Sequence, residues 1–152
     1  MSVLRSQHGS GLVPVRDAEL IAAVGDRLSS LANGQGDLFM TPEEGDEEFC
    51  RIFAERAECF PRAGAVVAKG ATWKECHTIS AEIVDRDPER YALIFGYALD
   101  IETGGDMWRT HSFVWDRKQK RVVEPTPGIR DAYAGAILSR DETERFIVHV
   151  GL

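Results

Sequence analysis

Cys76, His111 and Glu124 follow one another in the order and local settings of a thiol nucleophile, its base and the carboxylate that orients the base. A cysteine attacks a carbonyl as the thiolate, so it needs a base in reach. The base needs an acceptor that fixes its tautomer and stabilises its charged form. Together the three residue types point to acyl transfer. Each also has a plainer reading. A lone cysteine on an apolar stripe is usually a small core residue, and a His-Glu pair on neighbouring strands is a cross-strand ion pair.

The elements that must position these residues can be read around them. Thr72-x-x-Glu75 is the pattern of a capping box. Taking Thr72 as the N-cap predicts a helix with Cys76 near the end of its first turn. Cys76, Ile79, Ile83 and Val84 then form one apolar stripe, and Asp87-Pro88 ends the helix. The positive end of a helix favours a thiolate and lowers a cysteine pKa below its free value of about 8.5. Residues 107–116 alternate aromatic and β-branched residues with polar ones, which predicts a strand. Arg117-Lys118-Gln119-Lys120 is turn-like, and Arg121-Val122-Val123-Glu124 reads as the return strand, stopped by Pro125 and Pro127. A two-residue loop at Arg117-Lys118 would set His111 opposite Glu124, with Cβ atoms about 5 Å apart. A loop of three or four residues would move Glu124 opposite Ser112 or Phe113. Asp116 and Asp106 are the next acids in line should Glu124 not serve.

Residues 91–100 are apolar on both faces, as in a strand buried on two sides. Leu93, Phe95, Tyr97 and Leu99 share one face; Ala92, Ile94, Gly96 and Ala98 share the other. The small face predicts close approach of the Cys76 helix. Glu102-Thr103-Gly104-Gly105-Asp106 is a turn by composition.

The resulting order, a helix bearing Cys, a strand, a strand bearing His and a strand bearing the acid, resembles the core of the transglutaminase-like branch of papain-type cysteine hydrolases. The resemblance covers about residues 72–127. It implies Cys76 as nucleophile, His111 as base and Glu124 as orienting acid, with Val123-Glu124-Pro125-Thr126 similar to the acid-Pro-Thr stretch that often carries the third residue. The acid is Glu where that family usually has Asp, and His77 stands where it often has an aromatic.

The chain of 152 residues reads as a single domain, residues 1–152, with 1–14 a loose N-terminal segment. Its net charge of −7 disfavours a nucleic-acid partner, because phosphate binding needs basic surface. The sequence shows no membrane span and no signal-peptide core, and its three cysteines, an odd number, suggest free thiols in a reducing cytoplasm. Residues 17–32 predict an amphipathic helix capped by Asp17, with Leu20, Ile21, Val24, Leu28 and Leu31 on one face. A second helix is predicted from about Pro42 or Asp46 to Cys59, with Thr41 as a cap and an acidic start that suits a helix N-terminus. On that helix Cys50 and Cys59 lie nearly opposite and form no compact zinc pair. Residues 65–68 read as a short strand or the approach to the cysteine helix, 129–138 as a further helix, and 143–150 as a strand or helix turn. No nucleotide-binding glycine loop and no GxSxG elbow is present.

The expectation is therefore an α+β fold with N-terminal helices on a small antiparallel sheet, papain-like or transglutaminase-like. The expected activity is thiol-dependent acyl transfer on an amide (hydrolysis, deamidation or transpeptidation), without a cofactor, on a peptide, protein or small amide substrate. The backbone N–H of Cys76 is one expected oxyanion donor. One alternative is a non-catalytic binding or adaptor protein with Cys76 in its core. Another is a zinc hydrolase using Cys76, His77, His111 and His149. Trp73, Trp108 and Trp115 either wall a substrate groove or fill the core.

Overall fold

A computed structural model describes residues 4–7, 13–100 and 106–151. They form β1 (Arg5–Gln7), α1 (Ala18–Leu31), β2 (Leu38–Met40), α2 (Glu47–Arg56), β3 (Glu58–Phe60), β4 (Val66–Val67), α3 (Cys76–Arg86), β5 (Tyr91–Leu99), β6 (Met107–Asp116), β7 (Arg121–Glu124), β8 (Ala132–Ile137) and α4 (Arg140–His149). The fold is mixed α+β. One sheet of eight strands runs β1-β2-β6-β5-β8-β3, with β7 on the far part of the β6 edge and β4 on β7. The sheet is larger than expected, and mixed: β1–β2, β2–β6 and β4–β7 are parallel. Of the strands not expected, β1, β2 and β3 are three residues long, too short for a two-residue alternation to register in sequence, and β8 stands where a helix was expected; β4 falls in the segment read as a short strand or the approach to the cysteine helix.

β5 is the centre of the sheet, and its two faces meet different partners. Leu93, Phe95, Tyr97 and Leu99 pack with Val24 and Leu28 of α1, Phe49 and Phe53 of α2, Ile79 and Ile83 of α3, and Phe146 of α4. The cysteine helix thus lies on the large-residue face, not on the small one. Large side chains fill the space between a sheet and helix stripes, whereas the small face answers a different demand. A Cβ on Gly96 would meet the Ala134 carbonyl oxygen at 2.0 Å and Gly135 Cα at 2.5 Å, so the small residue admits β8. Ile94 and Ala98 then pack with Phe60, Phe113, Val122 and Tyr133 in a second cluster.

α1 matches its predicted span, with Asp17 Oδ1 accepting from the Leu20 N–H at 3.1 Å. α2 is shorter than predicted, beginning after Asp46 and ending at Arg56. Ala57 leaves the helical region at φ −58°, ψ 144°, and its carbonyl accepts from the Arg27 guanidinium at 2.6 and 3.0 Å. Residues 58–60 then pair with β8. Cys50 is consequently buried on a helix and Cys59 exposed on a strand, so the helical opposition read from their spacing does not apply. The helix expected over 129–138 is the strand β8, an apolar run whose length and periodicity suit either state. The C-terminal segment is helical, fixed by a capping box between Ser139 and Glu142. Of the segment expected to be loose, residues 5–7 pair with β2, while 1–3 and 8–12 lie outside the described residues, as does most of the expected 102–106 turn.

The β6–β7 hairpin closes with a four-residue loop. Asp116 Oδ1 accepts the N–H groups of Lys118 and Gln119 at 3.0 and 3.1 Å, and Lys120 takes φ 55°. This fixes Val114 opposite Val123 and Asp116 opposite Arg121. Continuing that register sets Glu124 against Phe113, and the two-residue loop that would oppose it to His111 does not form.

Candidate active site

The chain turns at Lys74, whose φ of 67° is left-handed, and α3 starts at Cys76 with Glu75 at the N-cap. The Thr72 hydroxyl bonds the Glu75 carboxylate and caps no backbone, so the predicted N-cap is displaced by three residues. Cys76 is thus the first helical residue. Its own N–H belongs to the turn that has no intrahelical acceptor and is available to a ligand.

His111 and Glu124 meet in spite of the longer loop. His111 lies two residues from Phe113 on the same face of β6, and diagonal neighbours across an antiparallel pair remain within reach of long side chains. His111 Nε2 is 2.9 and 3.0 Å from the two Glu124 carboxylate oxygens. A glutamate's extra methylene suits this diagonal span. Glu124 is wholly buried, and its carboxylate also accepts from the Thr126 N–H at 2.9 Å, the Thr126 hydroxyl at 2.7 Å and the Tyr133 hydroxyl at 2.7 Å. Burial alone would raise its pKa; His111, Thr126 and Tyr133 together bring it below the ordinary value.

Cys76 is half-buried and interacts with both His111 and His77. Burial pushes its thiol up, but hydrogen bonds and positive charge from the two imidazoles outweigh that and pull it down to about 5. Burial alone would lower His111, yet Cys76 and Glu124 hold it up at about 9. Both shifts run toward a thiolate beside an imidazolium. The other cysteines behave in the opposite sense: burial pushes Cys50 up to about 12 and raises Cys59 as well.

Sequence reasoning gave no supporting role to His77, Ser112, Thr126, Arg130 or Tyr133. His77 Nδ1 lies 3.9 Å from the Cys76 sulfur and shares a hydrogen bond with the buried Ser112 hydroxyl. Its ring also stands edge-on to Phe146. Tyr133 was hidden because its segment read as helix. Arg130 donates to Thr126 Oγ1 at 2.8 Å and to Asp100 Oδ2 at 3.4 Å, bracing the acid from outside. Only Thr126 carried a signal, in the acid-Pro-Thr run. The reserve acid Asp116 is committed elsewhere: Arg90 holds it with two hydrogen bonds, at 3.0 and 2.9 Å. Asp106 is exposed, and its carbonyl serves the β2 edge.

Cys76 and His111 line a cleft of about 540 Å³ with Met40, Trp73, Ala98 and Thr126 among its walls. A separate groove of about 350 Å³ between α3, β5 and α4 contains none of the three predicted site residues. Of the three tryptophans, Trp73 is 58% exposed in the cleft wall. Trp108 is core, donating to the Gln35 carbonyl at 2.9 Å, and Trp115 packs on Phe60. Of the residues named for zinc, Cys76, His77 and His111 come together but His149 does not: its Nε2 is bound to Asp46 at 2.6 Å, and among the described residues no group of three or more His, Cys, Asp or Glu side chains is arranged to hold a metal ion.

No family model, curated protein or solved structure matches the chain. Among the described residues, no helix is long and apolar enough to cross a membrane.

Proposed function

We propose that the chain is a thiol-dependent acyltransferase or hydrolase acting on an amide, with a papain-like, transglutaminase-like arrangement of Cys76, His111 and Glu124. One observation carries this reading. A cysteine at the first position of a helix lines the same cleft as His111, whose ring is bonded at 2.9 Å to the buried Glu124 behind it. A core cysteine needs neither the pair nor the cleft.

The chemistry follows from the charges. The Cys76 thiolate attacks the amide carbonyl carbon, and the oxygen takes the negative charge. The free N–H of Cys76 is placed to bind that oxygen. Glu124 occupies His111 Nε2, which leaves Nδ1 to serve the reacting atoms. As the tetrahedral species collapses, His111 gives its proton to the leaving nitrogen and the C–N bond breaks, leaving a thioester on Cys76. Water or an amine then attacks the thioester, His111 takes that nucleophile's proton, and the thiolate departs. Glu124 keeps His111 oriented and stabilises its cationic form throughout.

Incubation with p-nitrophenyl acetate tests this reading. An initial burst of about one p-nitrophenolate per chain, with an acetyl group mapped to Cys76, is expected ahead of slower turnover, and His111→Ala should abolish it. Acetyl groups spread over surface lysines, with none on Cys76, would overturn it.

A further inference from the structure

The cleft above Cys76 holds cations that no acid of the described structure answers. The chain has 25 acidic and 18 basic residues, so an excess of positive charge runs against its composition. Yet Lys74, Arg109 and Arg130 line this cleft, and among the described residues Asp100 is its one acidic lining residue. Arg130 is engaged by Asp100 and Thr126, and its guanidinium lies 5.6 Å from the centre of the Trp73 ring. Lys74 and Arg109 are exposed, and their side chains form no ion pair or hydrogen bond with the described residues. Lys74 stands two residues before the nucleophile, and Arg109 two residues before the base on β6. Both charges are therefore carried by the same backbone segments that hold the reacting groups. Trp73 adds an exposed apolar surface beside them.

We infer that this cleft selects an anionic amide: a peptide bearing a carboxylate side chain next to the amide that Cys76 attacks. The inference rests on the proposed function for the reacting atom, and on Lys74, Arg109 and Trp73 for the ligand. A net charge of −7 repels such a molecule from the rest of the surface, so two local cations both attract it and orient it. An amide flanked by lysine meets the same cations as repulsion, which gives discrimination by charge. The carboxylate lies between Lys74 and Arg109 while the peptide backbone runs over Trp73.

Binding and reactivity test the inference separately. Cys76→Ala protein is titrated with three capped tripeptides, acetyl-Gln-Glu-Gly-amide and its Gln-Gln-Gly and Gln-Lys-Gly counterparts, followed by tryptophan fluorescence. The Glu peptide is expected to bind tightest. Arg109→Gln and Lys74→Gln should each weaken it about two- to five-fold, the range of a single exposed charge contact. Half-molar salt should erase the preference. Trp73→Phe should remove most of the fluorescence change. With Cys76 intact, the ratio of iodoacetate to iodoacetamide alkylation rates at Cys76 should fall by a similar factor from the parent chain to each of the same two charge variants. Equal binding of the Glu and Gln peptides, no binding of any of the three, or a ratio insensitive to both substitutions would overturn the inference. Failure of Cys76 to alkylate with either reagent would overturn the proposed function, and the peptide titration would still decide the charge preference.

Discussion

Replacing Glu124 by Gln removes one charge and one acceptor from the best-defined part of the site. The carboxylate accepts from His111, from the N–H and hydroxyl of Thr126, and from Tyr133. The Thr126 N–H cannot turn away, so the amide oxygen must take the Oε2 position, and the amide NH2 falls near Tyr133. That hydroxyl already accepts from the Arg130 N–H at 2.9 Å, which crowds donors there. The fold should survive at a cost of about 1–3 kcal/mol. The larger effect is electrostatic. A unit charge about 4 Å from the imidazolium is worth up to about 4 kcal/mol at an effective dielectric near 20, and the amide dipole recovers part of it. A net loss of about 1.5–3 kcal/mol corresponds to a fall of roughly one to two pH units. His111 should then lose its proton between about pH 7 and 8 in the variant, not at about 9. The thiol should still ionise near 5, because His111 is protonated there in both proteins. Ring-proton NMR of His111 reads the first value and the pH profile of Cys76 alkylation the second. Acyl transfer at pH 8 should drop about 10- to 100-fold, less than in Cys76→Ala. An unmoved His111 titration with full activity would refute the role given to Glu124.

Three further outcomes are expected. The folded-state pKa of Cys76 is depressed, so its contribution to stability is complete above the unfolded value near 9 and disappears as the pH falls through about 5. In urea denaturation the stability gap between the parent chain and Cys76→Ala should therefore widen from pH 5 to 6.5, by up to about 2 kcal/mol; a constant gap would contradict the ionised thiol. His77→Phe removes a positive neighbour of the thiol and leaves the buried Ser112 hydroxyl without its partner. The alkylation midpoint should rise above 5 and the melting temperature should fall; an unshifted midpoint would make His77 purely a packing residue. Gly96→Ala forces a methyl group to within 2.0 Å of the Ala134 carbonyl, backbone that cannot yield cheaply. It should cost about 3 kcal/mol or more by thermal unfolding, and a near-neutral result would mean that β5 and β8 do not pair as described.

What could be read from sequence was whatever a long, regular pattern carried. α1, β5, β6 and β7 fell where periodicity put them, since each spans several repeats of its period or ends at a proline. The segment 132–137 gave no such guide: AYAGAI is apolar throughout, and its strand character comes from β5 on one side and β3 on the other. The hairpin register depended on Asp116 folding its side chain over the turn, a choice that composition leaves open. The candidate site was legible as three residue types in a certain order. Its reinforcement was not: His77 meets Ser112, and Glu124 meets Tyr133, only after the sheet forms. The direction of the Cys76 helix was legible from its stripe, but its true start awaited the left-handed turn at Lys74.

The central claim is that Cys76 exists as a thiolate beside a protonated His111. Thiolate absorbance near 240 nm, taken as the difference between the parent chain and Cys76→Ala across the pH range, measures this without any substrate. A single step worth one thiolate with its midpoint near pH 5 is the expected result. A step only at about pH 8.5 or above, the range of an ordinary cysteine, would contradict the account.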